Sequence, residues 1–161
     1  DVRFSTDKRP FKEWFGVSPA VRGGRKSARG GYYVHIQPGQ CMFGGGIWCP
    51  NKDLLNALRK EVLANYDEVE SIFANPLTNK YFQDFDSEYM LKKVPQGFPA
   101  DFEHADWLKR KCYTFSTPLT DEQVCAPDFV DLATEIAYAA KPINDFLNYT
   151  FEEYGEFPDR R

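Results

Sequence analysis

Residues 32–50 read YYVHIQPGQCMFGGGIWCP, and the fold turns on how they are read. From Tyr32 to Gln37 the chain alternates in period two and is rich in β-formers. Pro38-Gly39 supplies a turn, and Gln40–Trp48 returns. This pattern predicts a β-hairpin. The returning strand carries Gly44, Gly45 and Gly46 in a row. Glycines inside a strand pack no side chain and weaken it, so something must approach their backbone closely. A bulge, a neighbouring ring such as Trp14 or Trp48, or a ligand would each meet that need. Neither GxxxxGKS nor GxGxxG is present, so the run is not a phosphate-loop fingerprint.

Downstream of the hairpin the period changes. Asn51 stands where a helix N-cap belongs, and Leu54, Leu55, Leu58, Val62 and Leu63 follow at helical spacing. A second helical piece is expected near Tyr66–Ala74, ended by Pro76. Residues 86–100 read as strand and loop, Glu103–Lys111 as a short helix, and Cys112–Leu119 as a strand or extended connection. Thr120-Asp121-Glu122-Gln123 has the capping-box form and should open a short helix. Pro127 suits the first turn of the last helix. Phe129, Val130, Leu132, Ala133, Ile136, Ala137 and Ala140 form its apolar stripe. Pro142 should kink or restart this helix. Ile143, Phe146 and Leu147 carry it on to Tyr154-Gly155.

Upstream, residues 1–15 suggest a short strand containing Val2 and Phe4, a turn at Asp7–Pro10 and an irregular segment. Residues 22–31, RGGRKSARGG, suggest a mobile basic loop. The expected architecture is a single α+β domain over residues 1–155, with a tail at 156–161. An antiparallel sheet contains the central hairpin, helices pack on one face, and the C-terminal helix is long and kinked.

A chain of 161 residues can bury one real core. Aromatic residues make up 16 %, so large rings should dominate that core. No apolar run approaches the roughly 20 residues that cross a membrane. The opening DVRFSTDKRP has no apolar stretch of signal-peptide type and no start Met, which suggests a fragment or a processed chain. Cys41, Cys49, Cys112 and Cys125 make no CxxC pair, and a chain this long needs no disulfide staples. Reduced thiols in an intracellular protein, cytoplasmic or nuclear, are expected. The sequon Asn148-Tyr149-Thr150 falls in a helical pattern and is read as chance.

The net charge of −4 hides an asymmetry: residues 1–30 hold eight Lys/Arg and three acids, net +5, and the remainder is net −9. Such an opening can bind an anion, or it can simply neutralise the acidic body. Arg3, Lys8 and Lys12 stand close in sequence with Asp1 and Asp7 among them. Arg grips a carboxylate or phosphate with two parallel hydrogen bonds. The same residues can equally form an internal salt-bridge lattice. His35 alternates with Tyr33 and Gln37, away from Val34 and Ile36, and is a candidate base or anion donor, or a plain hydrogen-bonding residue. His104 suits a structural role at a helix start. His and Cys spacing fits no structural zinc site, so no metal and no cofactor are expected.

Several stretches together resemble one known family. DVRFSTDKRPFK, GGYYVHIQPG, FGGGIW and LKKVPQGFPADFEHADWLKRK, in that order, are similar to the domain of unknown function 2461 family over roughly residues 1–155. The resemblance implies that Arg3, Phe4, Asp7, Lys8, Pro10, Lys12, Tyr33, His35, Gly44, Gly45, Gly46, Trp48, Lys93, Pro95, Gly97, His104, Leu108 and Lys109 are family positions. Phe11 and Ala105 depart from it, standing where members often carry Tyr and Pro. The resemblance also implies helices and a strand upstream of Asp1, so a further segment of the same protein, or a partner chain, is expected beside Val2 and Phe4.

The expected function is a binding module for a small anionic ligand. Its candidate site residues are Arg3, Asp7, Lys8, Lys12, Tyr33, His35, Gly44, Gly45, Gly46, Trp48 and Lys93. One alternative is an enzyme in which His35 is the general base and Arg3 or Lys8 steadies developing negative charge. The other is a protein-interaction scaffold. Membrane association is not expected. Nucleic-acid binding should be weak and salt-sensitive, because the −9 body repels phosphate.

Overall fold

The hairpin predicted from residues 32–48 sits at the centre of a four-stranded antiparallel sheet. The computed structural model describes residues 13–18 and 27–158. The strands are β1 (Phe15–Val17), β2 (Gly31–Ile36), β3 (Cys41–Ile47) and β4 (Tyr113–Leu119), in the spatial order β1-β2-β3-β4. Tyr33 pairs with Gly44 and Val34 with Phe43, while Gly44 pairs with Ser116 and Ile47 with Tyr113. The expected short strand containing Val2 and Phe4, the turn at Asp7–Pro10 and residues 22–26 of the basic loop lie outside the described residues.

Because side chains alternate across a strand, each strand divides into two sets. Phe43 and Ile47 of β3, with Tyr113, Phe115 and Leu119 of β4, are buried in the core. Tyr32, Val34 and Ile36 pack against that core from β2. Tyr33 and His35 occupy the other face, as the alternation predicted.

The helices cover the core side. They are α1 (Lys52–Ala64), α2 (Tyr66–Ala74), α3 (Pro76–Tyr81), α4 (Ala105–Lys109), α5 (Asp121–Cys125) and α6 (Phe129–Tyr154). α1 starts as its sequence suggests: Asn51 Oδ1 accepts the Leu54 N–H at 2.9 Å, and Leu54, Leu58 and Val62 are buried. Thr120 and Gln123 form the reciprocal capping box that opens α5. Ile136, Ala139, Ala140, Ile143 and Leu147 of α6 press on the sheet. Rings fill the space between the layers. Phe82 meets Phe115 edge-on at 4.9 Å, and Phe85 meets Tyr113 at 5.3 Å and Phe73 at 5.1 Å.

Several expectations are corrected. Pro76 follows α2 as predicted, but it also opens α3 at the first helical position, where its missing N–H costs nothing. Pro127 stands outside α6, before the N-cap Asp128. Val130 is not part of the core stripe; it is 72 % exposed. Residues 86–100 form no strand beyond a single bridge, Met90 to Arg110, because that segment follows the end of the sheet as a loop. Pro142 does not restart the last helix, which stays helical from Phe129 to Tyr154. The carbonyl that loses its helical donor there is that of Tyr138, an exposed residue where water can serve. Phe157, in the stretch expected as a tail, packs edge-on against Phe151 at 5.4 Å.

Candidate functional site

The three glycines of β3 are required by packing. A Cβ on Gly44 would stand 2.8 Å from the Phe115 carbonyl oxygen, and one on Gly45 would stand 2.6 Å from the Phe115 ring and 2.7 Å from the Gly31 carbonyl oxygen. Gly46 is the tightest: φ is +95°, and a Cβ would meet the Tyr113 carbonyl oxygen at 2.1 Å. α6 clamps the same region through two asparagines one helical turn apart. The Asn144 side chain accepts from Gly46 N–H at 3.0 Å and donates to the Gly31 carbonyl at 3.2 Å. Asn148 accepts from Gly30 N–H at 2.8 Å and donates to the Gly30 carbonyl at 3.1 Å. The sequon asparagine therefore has its amide committed inside the fold. Neither asparagine was singled out as structural from the sequence. The signal for them was their i, i+4 spacing on the apolar stripe of a helix, which puts both on one face.

Beside the packed glycines lies a cleft of about 530 Å³. Gly44, Gly45 and Gly46 form part of its wall, with Tyr33, Met42 and Trp48 from the hairpin. Asp86, Glu88 and Tyr89 face them from the loop after α3, and Ser18, Ser27 and Arg29 also line it. Bare glycine backbone leaves this stretch of the wall without side chains.

The opposite wall is held from beneath. Arg110 is 2 % exposed and donates to the Asp86 carbonyl and to Asp84 Oδ2, the latter at 2.7 Å. The Asp86 N–H donates to the Thr114 carbonyl at 2.7 Å, and Asp86 Oδ1 accepts from the Ser116 hydroxyl at 2.9 Å. Tyr89 meets Trp48 edge-to-face at 5.4 Å. Its phenol is held above its ordinary pKa, first by a hydrogen bond to the Glu88 carboxylate and then by that group's charge. Asp84, Asp86 and Glu88 recur at period two in QDFDSEY, which would place them on one side of an extended segment. That was the available signal for this wall, and the sequence reading passed over it.

The candidate residues divide into groups. Tyr33, Gly44, Gly45, Gly46 and Trp48 meet at the cleft. His35 shares the open face but does not line the cleft. Its Nδ1 lies 3.0 Å from the Tyr33 hydroxyl and its Nε2 lies 3.1 Å from Gln37 Oε1. Trp14 stacks on its ring at 5.5 Å. Lys93 is exposed on the loop before α4 and does not line the cleft. Arg3, Asp7, Lys8 and Lys12 lie outside the described residues. Arg29 is engaged elsewhere: its guanidinium pairs with Glu152 at 3.4 Å and Glu156 at 2.5 Å and lies over the Phe151 ring. His104 stacks on Trp107 at 4.3 Å, and its Nε2 lies 2.9 Å from Glu70 Oε1.

Among the described residues, no group of three or more His, Cys, Asp or Glu side chains is placed to hold a metal ion. No described helix is long and apolar enough to cross a membrane.

The fold and cleft define an α+β protein with a glycine-walled cleft on the open face of its sheet. The chain matches, over residues 1–146, the family described as Conserved hypothetical protein (DUF2461), and it belongs to that family. Neither the curated proteins nor the solved structures contain a match to it.

Proposed function

We propose that this protein is a binding module whose small ligand lies against the glycine strand, between Tyr33, Trp48 and Tyr89. The observation that carries this reading is the convergence of three aromatic side chains and two carboxylates, Asp86 and Glu88, on one glycine-walled cleft. Aromatic faces bury flat apolar surface, and a few placed polar groups orient the guest. Carboxylates accept hydrogen bonds only, so a guest with hydroxyl or amino donors suits this wall. His35 supports binding over catalysis: both its ring nitrogens are occupied by Tyr33 and Gln37, so neither stands open to a substrate proton.

The second reading is the anionic ligand. It draws on the +5 opening of residues 1–30, and it would place Arg3, Lys8 and Lys12 around the charge. The described wall contributes Asp86 and Glu88, which repel an anion, so those basic residues would have to outweigh them.

A ligand panel read by thermal shift separates the two. Sugars, amines, phosphate and carboxylates are each titrated against the whole chain and against two sets of variants. Donor-rich ligands should lose their protection in Asp86→Asn and Glu88→Gln. Anions should lose theirs in Lys8→Gln and Lys12→Gln. Either ligand should bind more weakly to Trp48→Ala and Tyr89→Ala, whose partly exposed side chains leave the core intact. A ligand that protects Trp48→Ala and Tyr89→Ala as well as the parent chain would remove the cleft from the argument.

A further inference from the structure

At the corner of the sheet where the cleft ends, two thiols face each other. β3 leaves the sheet at Ile47 and β4 enters it at Tyr113, its register partner. Cys49 and Cys112 flank that pair. Continued two positions past Ile47, strand alternation would turn Cys49 to the core face and away from Cys112, which precedes the core-facing Tyr113 by one. Alternation stops at Cys49 instead, where φ is +45°, a backbone conformation that side-chain-bearing residues seldom adopt. The Cys49 N–H meets Cys112 Sγ at 3.2 Å, and the two sulfur atoms stand 3.7 Å apart. None of the four cysteines is joined in a disulfide in this structure.

We propose that Cys49 and Cys112 are a redox pair that closes into a reversible disulfide on oxidation by a hydroperoxide. Their exposures differ in the way such a pair requires. Cys49 is exposed and can meet an oxidant, whereas Cys112 is buried, at 4 %. An accessible thiol next to a second, resolving thiol is the arrangement that captures a sulfenic acid.

The chemistry balances. With hydrogen peroxide as the oxidant, the Cys49 thiol gives its proton to solvent and its sulfur attacks one peroxide oxygen; the O–O bond breaks, the leaving hydroxide takes up a proton from solvent to become the first water, and Cys49 is left as a sulfenic acid. Cys112 sulfur then attacks Cys49 sulfur, and the sulfenic hydroxyl leaves as a second water carrying the Cys112 proton. Two thiols lose two electrons, and one hydroperoxide is reduced. The sulfur atoms must close by about 1.7 Å to reach bonding distance. A dithiol reductant reverses the bond by thiol exchange.

This pair is coupled to the cleft by sequence and by contact. Trp48 directly precedes Cys49, and its ring packs edge-to-face against Tyr89. Closing the disulfide would therefore tie the Trp48 wall to the start of β4.

The test treats the whole reduced chain with hydrogen peroxide and maps its peptides under non-reducing conditions. The expected product lacks two hydrogens, carries one Cys49–Cys112 cross-link, and returns to the starting mass with a dithiol. Cys112→Ser should leave Cys49 as a sulfenic acid that a dimedone probe labels, at several-fold higher yield than in the parent chain. Oxidation should also quench tryptophan emission, and that change should be lost in Trp48→Phe. Cys49 ending as sulfinic acid in the parent chain, with Cys112 still alkylatable after unfolding, would overturn the proposal. So would equal dimedone labelling of the parent and Cys112→Ser. These outcomes do not depend on whether any ligand binds the cleft.

Discussion

Replacing Gly46 by alanine tests how tightly the glycine strand is packed. Two costs add. The backbone at Gly46 has φ +95°, and holding an L-residue in left-handed territory costs ~1–2 kcal/mol. The new Cβ would also stand 2.1 Å from the Tyr113 carbonyl oxygen and 2.9 Å from Thr114 Cα. Both obstacles are backbone, so β4 itself must move, and overpacking of that kind costs ~1–3 kcal/mol. The sum, ~2–5 kcal/mol, is a large part of the ~5–15 kcal/mol that holds a typical domain. Gly39 is the internal control. It has φ +73°, but a Cβ there meets nothing within 4 Å, so Gly39→Ala should incur only the first cost. Urea unfolding of both variants reads the difference. With a slope of ~1–3 kcal/mol per M, the Gly46→Ala midpoint should fall about 1 M below that of Gly39→Ala. Equal midpoints would refute the reasoning, because they would mean that β3 and β4 have room at Gly46.

Asn144→Leu should cost ~2–4 kcal/mol, since it orphans Gly46 N–H and the Gly31 carbonyl together; thermal melting checks this, and a loss under 1 kcal/mol would mean water replaces the clamp. Glu61 is 3 % exposed, and its carboxyl is held above its ordinary pKa by burial, against the opposing hydrogen bond from Asn65. A raised folded pKa favours the folded state most below the unfolded value, and that contribution is lost as pH rises through the folded pKa. Glu61→Gln keeps an acceptor for Asn65 Nδ2, so it should match or exceed the parent's stability at pH 7 and flatten the rise in stability toward acid. A variant clearly less stable at neutral pH would show that the carboxylate is favoured where it lies.

Local signals in this chain were legible wherever a residue answers to its immediate neighbours. The Pro38-Gly39 turn, the Asn51 cap, the Thr120–Gln123 box and the period of α1 depend on contacts within a few positions, and all appear in the structure. Pro142 left two outcomes open, a kink or a restart, and the restart is excluded because burial of α6 against the sheet keeps the helix continuous despite one missing donor. Val130 was misjudged because an apolar residue at the first turn of a helix can fall beyond the edge of the layer it would cover.

The candidate site divides along the same line. Tyr33, Trp48 and the glycines lie in one hairpin, so their pattern placed them together before any fold was known. Asp86 and Tyr89 reach the cleft only because the buried Arg110 holds the loop after α3 against β4. Asn144 meets Gly46 across 98 positions of chain. The sequence by itself determined the hairpin, every helix but α3, and the need for something close to the glycine backbone. What comes close was decided by tertiary structure alone. A glycine records only that space is missing. Whether a ring, a carbonyl or a guest takes that space depends on which distant segment the core packs against it.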